Sequence, residues 1–426
     1  MRNAKSELSD ASAYMTRGET VALLQVKPAT LYTYVSRGWV RRIPHPDKKQ
    51  SLYLKEDVEK IRARSGARAA DGVLAAGAIR YGEPVIATSI TEITPAGPRY
   101  RNRSAVDLVK ANSRFEATAE LLWSGTWLEE PFIWRLEALP NGYLKLAGGI
   151  GKLFVGASIH ELFSILTLSL GMASGSPNER MRQGATVVVS ARQLIQALTG
   201  CFGVLSKKRA YRPPRDGETI AEAVARALAV TPSREAVRAL NAALTLSADH
   251  ELNPATFAAR IAASSEVDLH SCIAAAICTH SGARIARACD HLEDIFDRAT
   301  TKAQLLKRTI TATESAPAMT GFNHPLYPKG DPRAACLLEL VRGMQNPNAH
   351  LGHIFGFLDE AANRLKLYPR MELAMVVLEV ALRLPPRSAA GIYTLGRVAG
   401  WVAHIMEQRL AGFLIRPRAK YLSPVA

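Results

Sequence analysis

The chain has 426 residues, of which 48% are hydrophobic and 22% charged, and its 54 Lys and Arg against 38 Asp and Glu give a net charge of +16. Such a length allows a sizeable core and predicts more than one domain. The positive charge favours a polyanionic partner, namely nucleic acid, an anionic membrane surface or a phosphorylated cofactor, without choosing among them.

Cysteine usage and apolar runs restrict the class of protein further. The five cysteines lack the paired spacing of metal ligands, which argues against a zinc site and a disulfide framework and predicts free thiols in a reducing cytoplasm. The N-terminus lacks the apolar segment of a signal peptide. The most apolar stretch, 153–173, is interrupted by His160 and Glu161, so we predict a buried helix there and no membrane span.

Two short helices are predicted near the N-terminus. Thr16 and Glu19 form a capping-box pattern that starts the first helix. Pro28 suits the first turn of the second helix, which buries Leu31 and ends at Gly38. Two such helices joined by a three-residue turn resemble the helix-turn-helix of MerR-like and excisionase-like modules, in which the second helix enters the major groove of DNA.

A basic hairpin is predicted to follow these helices. Residues 39–42 and 51–53 can pair as a wing with PHPDKK at its tip, and 54–58 then open a third helix. Residues 1–70 hold fourteen Lys or Arg and seven Asp or Glu, a local charge of +7 that suits phosphate contacts. The candidate phosphate ligands are Arg37, Arg41, Arg42, Lys48 and Lys49, and the candidate base-reading residues are Thr30 and Tyr34. A module that docks on protein instead of DNA is the alternative.

The chain is therefore predicted to contain several segments. A disordered lead-in at 1–13 precedes a winged helix-turn-helix domain at 14–66, and the small, aperiodic run at 67–72 is a linker. From 73 to 426, glycine and proline punctuate Ala/Leu-rich segments with helical periodicity, which predicts a mostly α body.

The stretch GFNHPLYPKGDPR at 321–333 is predicted to be a stiff loop, because it contains two glycines and three prolines. From such a loop, the His324 imidazole can donate a hydrogen bond to a ketone oxygen. The Arg333 guanidinium can hold a carboxylate through two parallel hydrogen bonds. This pair suits an anionic carbonyl compound.

Several motifs in the body occur together in a characteristic order. They are FEATAELLWSG at 115–125, SADHELNPATFAAR at 247–260, the 321–333 loop, GRVAGWVAHIMEQ at 396–408 and IRPRAKY at 415–421. In this order they resemble the citrate synthase family, which implies a large and a small helical domain, the small one at about 253–362, and a homodimer with shared active sites. Asn323 departs from the family, which has glycine there, and is expected to crowd the thioester.

The resemblance implies condensation of acetyl-CoA with oxaloacetate and no bound cofactor or metal. That reaction needs a base for a methyl proton, an acid at the thioester oxygen, a donor to the ketone and cations for two carboxylates. The residues that match the family's oxaloacetate site are His250, His324, Arg333, Arg397 and, from the neighbouring subunit, Arg416. Gly321 and Lys329 are weaker candidates for contacts with coenzyme A.

The acetyl-CoA half of the site departs from the family. Ile285 stands at the position of the catalytic histidine and cannot donate a hydrogen bond, while Ala286 and Arg287 replace two glycines. Glu372 replaces the aspartate base. One extra methylene displaces a carboxylate by about 1 Å, which can cost ~10²-fold in rate. We therefore predict poor catalysis.

Three hypotheses remain open at the level of sequence. The first is a dicarboxylate-responsive DNA-binding regulator that has lost its chemistry. The second is an active citrate or 2-methylcitrate-like synthase that uses Glu372 as its base, with the helix-turn-helix as an accessory module. The third is a structural partner that pairs with an active paralogue and lends it Arg416.

Overall fold

The computed structural model describes residues 14–24, 26, 28–36, 40–44, 51–55, 57–59, 86–128, 133–175, 187–230, 233–299, 301–315, 321–345 and 349–417. They divide into two compact units, one on the N-terminal side of Thr88 and one from Thr88 to Pro417. The predicted lead-in, the predicted linker and residues Arg37, Lys48 and Lys49 lie outside the described residues.

The described residues of the N-terminal unit include two helices, α1 and α2, and a three-stranded antiparallel sheet of order β1-β3-β2. Its elements are β1 Tyr14–Thr16, α1 Arg17–Leu24, α2 Pro28–Ser36, β2 Arg42–Pro44 and β3 Ser51–Leu54. The predicted cap of α1 is confirmed, because Glu19 N donates to Thr16 Oγ1 at 3.3 Å while Thr16 N donates to Glu19 Oε2 at 2.8 Å. The unit has a small core of its own, formed by Leu24, Leu31, Val40, Tyr53 and Val58.

The predicted hairpin is corrected in its first strand, which was expected at 39–42. Strand β2 begins at Arg42, which pairs with Tyr53, and the unpredicted strand β1 also pairs with β3. Val40, expected in the strand, is buried in the core, and the neighbouring Arg41 guanidinium binds both carboxylate oxygens of Asp57, at 2.9 and 3.0 Å. A three-residue strand such as β1 leaves almost no periodicity to detect.

Helix α2 exposes Tyr32 to solvent, and not Tyr34, which was predicted to contact bases. Tyr34 and Val35 pack against the same core as Leu31, because residues at i, i+3 and i+4 share one helix face. Tyr32 lies on the exposed face, where its hydroxyl accepts a hydrogen bond from Arg17 at 3.2 Å. Two of the residues predicted to contact DNA therefore have structural contacts within this unit. Tyr34 packs against its core, and Arg41 binds Asp57.

In its described residues the second unit is mostly helical and contains a small antiparallel sheet of order β4-β5-β6. The strands are β4 Thr91–Thr94, β5 Gly97–Tyr100 and β6 Arg103–Ser104. The helices are α3 Ala105–Lys110, α4 Phe115–Ser124, α5 Asn141–Leu153, α6 Ile159–Ala173, α7 Val187–Thr199, α8 Ile220–Ala227, α9 Arg234–Ser247, α10 Pro254–Ser264, α11 Leu269–His280, α12 Arg287–Arg298, α13 Lys302–Ser315, α14 Pro332–Arg342, α15 Ala349–Leu365, α16 Met371–Leu382 and α17 Ser388–Ala411. The small domain expected at about 253–362 stays a prediction.

The apolar stretch 153–173 was predicted to be one buried helix, but the structure shows a break within it. Helix α5 ends at Leu153, and α6 starts at Ile159 behind a capping box in which Ser158 and Glu161 exchange hydrogen bonds. A different segment, Val187–Val204, is long and apolar enough to span a membrane. About two thirds of it is buried inside this unit, which is the behaviour of a core helix.

Helix α17 organises the body, because its residues from Ser388 to Ile405 are all buried. It packs against α9, α10, α11 and α16. Glycines permit the closest approaches: a Cβ on Gly400 would lie 2.3 Å from Asp249 Oδ1 and 2.4 Å from the Ala248 carbonyl oxygen. The backbone of α17 is therefore pressed directly against the turn that precedes His250.

This contact predicts the effect of one added methyl group. Gly400→Ala should lower the free energy of unfolding by about 1–3 kcal/mol, because the helix and the 248–249 turn must separate. Gly148→Ala on α5 is the matched control, since its Cβ would meet nothing within 4 Å. That control should gain up to ~1 kcal/mol from helix propensity. Urea unfolding of both variants measures the difference, and equal stabilities would contradict the close approach.

Candidate active site

Three hydrogen bonds fasten the 321–333 loop to the segment that leads into α16. Asn323 N donates to the Tyr368 carbonyl and Arg370 N to the Gly321 carbonyl, both at 2.8 Å, and Tyr368 N donates to Asn323 Oδ1 at 2.9 Å. Gly321 has φ +84°, and a Cβ there would lie 2.7 Å from Leu292. The loop that carries His324 and the segment before Glu372 are thereby held together.

Asn323 takes a structural role that its sequence context did not suggest. Its φ is +50°, in the left-handed region that asparagine tolerates better than most residues. Its side-chain oxygen accepts from Tyr368 N. This hydrogen bond gives Asn323 a structural role, and the expected crowding of an acyl-CoA ligand stays a prediction.

His250 and His324 lie side by side, with ring centroids 5.1 Å apart and planes at 79°. Tyr327, which the sequence reasoning missed, adjoins both: its hydroxyl is 3.1 Å from His250 Nε2, and its ring is 5.1 Å from that of His324. Leu326 N donates to His324 Nδ1 at 3.2 Å, so a neutral His324 carries its proton on Nε2. His324 therefore has the donor that polarisation of a carbonyl requires.

Both histidines are neutral at physiological pH. Burial, aided by the Arg333 guanidinium, lowers the pKa of His324 to about 4. Burial and the same guanidinium hold the pKa of His250 well below its ordinary value. Each ring thus acts as a hydrogen-bonding group without adding charge to the pocket.

Two buried arginines supply cationic donors. Arg333 binds Asp331 through Nε at 3.1 Å and Nη2 at 2.7 Å, while its buried Nη1 has no hydrogen-bond partner among the described residues. Arg397 Nη2 donates to Thr256 Oγ1 at 2.6 Å and lies 3.3 Å from Asp249 Oδ1. Its buried Nε and Nη1 are likewise unpartnered within the described ranges. The two guanidiniums keep open donors for carboxylates.

Glu372 is also buried, and it is bound by a cation that sequence reasoning did not assign. Arg370 Nη2 donates to Glu372 Oε1 at 3.1 Å, and Glu372 Oε2 has no partner in the part of the chain that is described. One carboxylate oxygen is therefore occupied and the other is free. Arg370 lies two residues before Glu372, at the start of α16, and this spacing was the sequence signal from which the pair could have been predicted.

The turn expected to carry the catalytic acid carries none. Ile285 is half-buried in the turn between α11 and α12, and Arg287 is exposed at the first residue of α12. His280, the last residue of α11, is fully buried with its ring centroid 5.1 Å from that of Tyr393 and 5.4 Å from that of Trp401. Neither of its ring nitrogens has a hydrogen-bond partner among the described residues.

The remaining candidates lie at the surface. Lys329 and Arg416 are exposed. Within the described ranges of this single chain, no group of three or more His, Cys, Asp or Glu side chains is arranged to hold a metal ion. Direct contacts thus bring together His250, His324, Tyr327 and Arg333. Arg370 and Glu372 follow on the segment that is hydrogen-bonded to the 321–333 loop, and Arg397, with Tyr393 one turn before it on α17, is joined to His250 through Asp249.

Buried histidines predict a loss of stability in acid. Burial lowers the pKa of His160 and His324 to about 4, and holds those of His250 and His280 well below the ordinary value. The unfolded chain takes up these protons near pH 6.5, so the stabilisation is complete above that pH and is lost as the pH falls towards 4. Each histidine contributes up to about 1.4 kcal/mol per pH unit in that window.

Urea unfolding at about pH 7.5 and pH 5 measures this dependence. His160→Gln should reduce the slope, because it removes one of the four groups while leaving His250 and His324 in place. Identical slopes for the variant and the unaltered chain would contradict the assignment.

Comparison with known proteins bears on this cluster. The family model "Citrate synthase, C-terminal domain" matches residues 81–418, more than three quarters of the chain. Citrate synthase 2 of Bacillus subtilis is 28% identical over 360 residues, which cover 80% of this chain and 95% of that protein. A 2-methylcitrate synthase of Shewanella oneidensis is 30% identical over 202 residues, covering 45% of this chain and 52% of the relative.

Solved structures agree with the fold. The citrate synthase of Thermoplasma acidophilum, solved in a ternary complex with carboxymethyl coenzyme A and oxaloacetate, superposes with a TM-score of 0.70 at 21% identity, over 80% of this chain and 95% of that one. The Pyrobaculum aerophilum enzyme gives 0.68 at 23% identity, over 80% and 91%. These similarities confirm the expected mostly helical body. The chain belongs to the citrate synthase family.

Proposed function

We propose that the body binds oxaloacetate or a related keto dicarboxylate between His250, His324, Arg333 and Arg397. The observation that carries this proposal is the set of open donors on the two buried guanidiniums. Buried donors in folded proteins are nearly always satisfied, so unpartnered ones at Arg333 and Arg397 favour an anionic ligand. Neutral His324 then donates a hydrogen bond from Nε2 to the ketone oxygen.

Condensation with acetyl-CoA is proposed to be weak or absent. The turn at Ile285 offers no side-chain donor to a thioester oxygen, and the Glu372 carboxylate shares one oxygen with Arg370. The contact with Arg370 leaves only the second carboxylate oxygen of Glu372 to accept a methyl proton. The pocket is then used for sensing, and the N-terminal unit binds DNA.

A homodimer with shared sites is part of the proposal. Apolar side chains are exposed around the end of α5 and along α6. The exposed fractions are 66% for Leu153, 75% for Val155 and 69% for Met172. An exposed apolar surface of this kind is typical of an interface between protein chains. Arg416, exposed in the single chain, is the residue that each subunit would lend to the other.

The alternative is an active citrate or 2-methylcitrate-like synthase. The Shewanella oneidensis relative bears the second of these names, and the unpartnered Oε2 of Glu372 is available as a base. In this case the helix-turn-helix is an accessory module.

Ligand binding is tested by calorimetric titration of oxaloacetate and acetyl-CoA separately. Oxaloacetate should bind, and Arg333→Gln should weaken it roughly 10- to 100-fold, the value of one charged hydrogen bond. Arg342→Gln is the matched control, because Arg342 is an exposed arginine paired with Asp359. Loss of affinity in both variants, or in neither, would refute the pocket.

Turnover is tested by CoA release from acetyl-CoA plus oxaloacetate. The unaltered protein should fall below ordinary enzyme rates of about 1–10³ per second. Combining Ile285→His, Ala286→Gly, Arg287→Gly and Glu372→Asp should raise the rate by orders of magnitude, while single reversions achieve little, since the acid and base act as a unit. Ordinary turnover by the unaltered protein would instead establish the alternative.

DNA binding is tested with the intact chain and duplex DNA at varied salt. Neutralising Lys48 and Lys49 should weaken binding similarly for all sequences and flatten its salt dependence, because phosphate contacts release counterions. Replacing Thr30 should instead change which sequences are preferred. Absence of binding at low salt would make the N-terminal unit a protein-docking element.

A further inference from the structure

Two buried glutamates from different helices meet at the start of α17. Glu293 lies on α12 and is 5% exposed, and Glu379 lies on α16 and is 4% exposed. Arg387 N donates to Glu293 Oε1 at 3.2 Å and to Oε2 at 3.1 Å, while Ala389 N donates to Glu379 Oε2 at 2.6 Å. Because these two N–H groups are only two residues apart in the chain, they hold the two carboxyl groups side by side.

The two carboxyl groups are also hydrogen-bonded to each other. An ionised carboxylate has only acceptor oxygens, so a hydrogen bond between two carboxyl groups requires a proton on one of them. Two buried carboxylates in contact also repel each other, which disfavours ionisation of both. The proton belongs on Glu379, because Glu293 accepts from Arg387 N through both oxygens and lies 3.5 Å from the Arg387 guanidinium.

We infer that Glu293, Glu379 and the N–H groups of Arg387 and Ala389 form a proton-dependent latch, which joins α12 and α16 to the start of α17 and weakens as the pH rises above neutral. In the protonated latch the hydroxyl of Glu379 donates to Glu293, and Glu379 Oε2 accepts from Ala389 N. Loss of the proton leaves two negative charges in contact. The residues of the latch are not those of the proposed dicarboxylate pocket, so the inference does not depend on the ligand.

Other charged groups surround the latch. In the described part of the chain they are Asp290, Asp294 and Asp297 from α12 and Arg387 from the start of α17. Arg387 Nη1 donates to the Asp290 carbonyl and Nη2 to Asp294 Oδ1, both at 2.6 Å, so its guanidinium is shared among several acceptors. The buried thiol of Cys289 also faces these acids, and burial together with the Glu372 and Asp290 carboxylates holds its pKa well above the ordinary value. The thiol therefore stays protonated near neutral pH.

The pKa of Glu379 gives the direction of the pH dependence. Burial and the Glu293 carboxylate raise that pKa to about 9, whereas the unfolded chain releases the proton near pH 4.5. Stabilisation by the proton is therefore complete below pH 4.5 and is lost as the pH rises towards 9. Within this window the folded chain holds one more proton than the unfolded chain, so the equilibrium constant for unfolding should rise up to about 10-fold per pH unit. This sign is opposite to that of the four buried histidines.

The experiment measures urea unfolding of the intact chain between about pH 6.5 and pH 8, where the buried histidines are already neutral and the cysteines of the unfolded chain are still mostly protonated. The amide of Glu379→Gln can donate to Glu293 and accept from Ala389 N without titrating. This variant should therefore remove a change of up to about 10-fold per pH unit from the unfolding constant. Glu235→Gln is the matched control, because Glu235 is exposed in the first turn of α9, and it should leave the pH dependence unchanged.

Two further measurements test the shared proton itself. Glu293→Gln should also reduce the pH dependence, because without the neighbouring charge Glu379 ionises at a lower pH. Difference infrared spectra of the unaltered protein between about pH 7 and pH 9 should show the loss of a protonated carboxyl group, a signal absent from Glu379→Gln. The inference is overturned if Glu379→Gln keeps the pH dependence of the unaltered protein, if Glu235→Gln changes that dependence equally, or if the unaltered protein shows no such infrared signal.

Discussion

The buried carboxylate of Asp249 is the group on which the pocket depends. It lies 3.3 Å from Arg397 Nη2 and 3.2 Å from His404 Nε2, two residues that are two turns apart on α17. Burial alone would raise the pKa of Asp249, but His404 and Arg397 outweigh it and hold that pKa below its usual range. A buried ion is tolerated only with such partners. Because Asp249 directly precedes His250, this ion pair fixes a histidine and an arginine of the pocket in one contact.

A second set of contacts joins the other half of the site. The backbone bonds between 321–323 and 368–370 place His324 and Glu372 on one connected piece of chain. Arg333 follows at the start of α14, where Asp331 both caps the helix and holds the guanidinium. The proposed pocket thus has a helix-based half, held by Asp249, and a loop-based half, held by the 321–333 segment.

The sequence predicted the mostly helical body, and it singled out His250, His324, Arg333 and Arg397, because these residues occur in motifs whose order is recognisable. It did not predict Tyr327, Arg370 or Tyr393 as members of the cluster, since their roles depend on which side chains meet across separate elements. Tyr393 was detectable in principle from its spacing of four residues before Arg397. The N-terminal sheet was predicted in part: the two longer segments were found, but their register depended on Val40 entering the core and on the pairing of Arg41 with Asp57.

Because α17 is buried, its backbone is expected to open more rarely than the surface loops around the proposed pocket. Amide hydrogens of a fully buried central helix exchange with solvent only through the largest unfolding events, whereas surface loops open at a small fraction of that free energy. Tyr393 and Arg397 therefore remain fixed for as long as the molecule is folded. The 321–333 loop, which carries exposed residues and is joined to its neighbour by three hydrogen bonds, is expected to open at a lower free energy than α17 does.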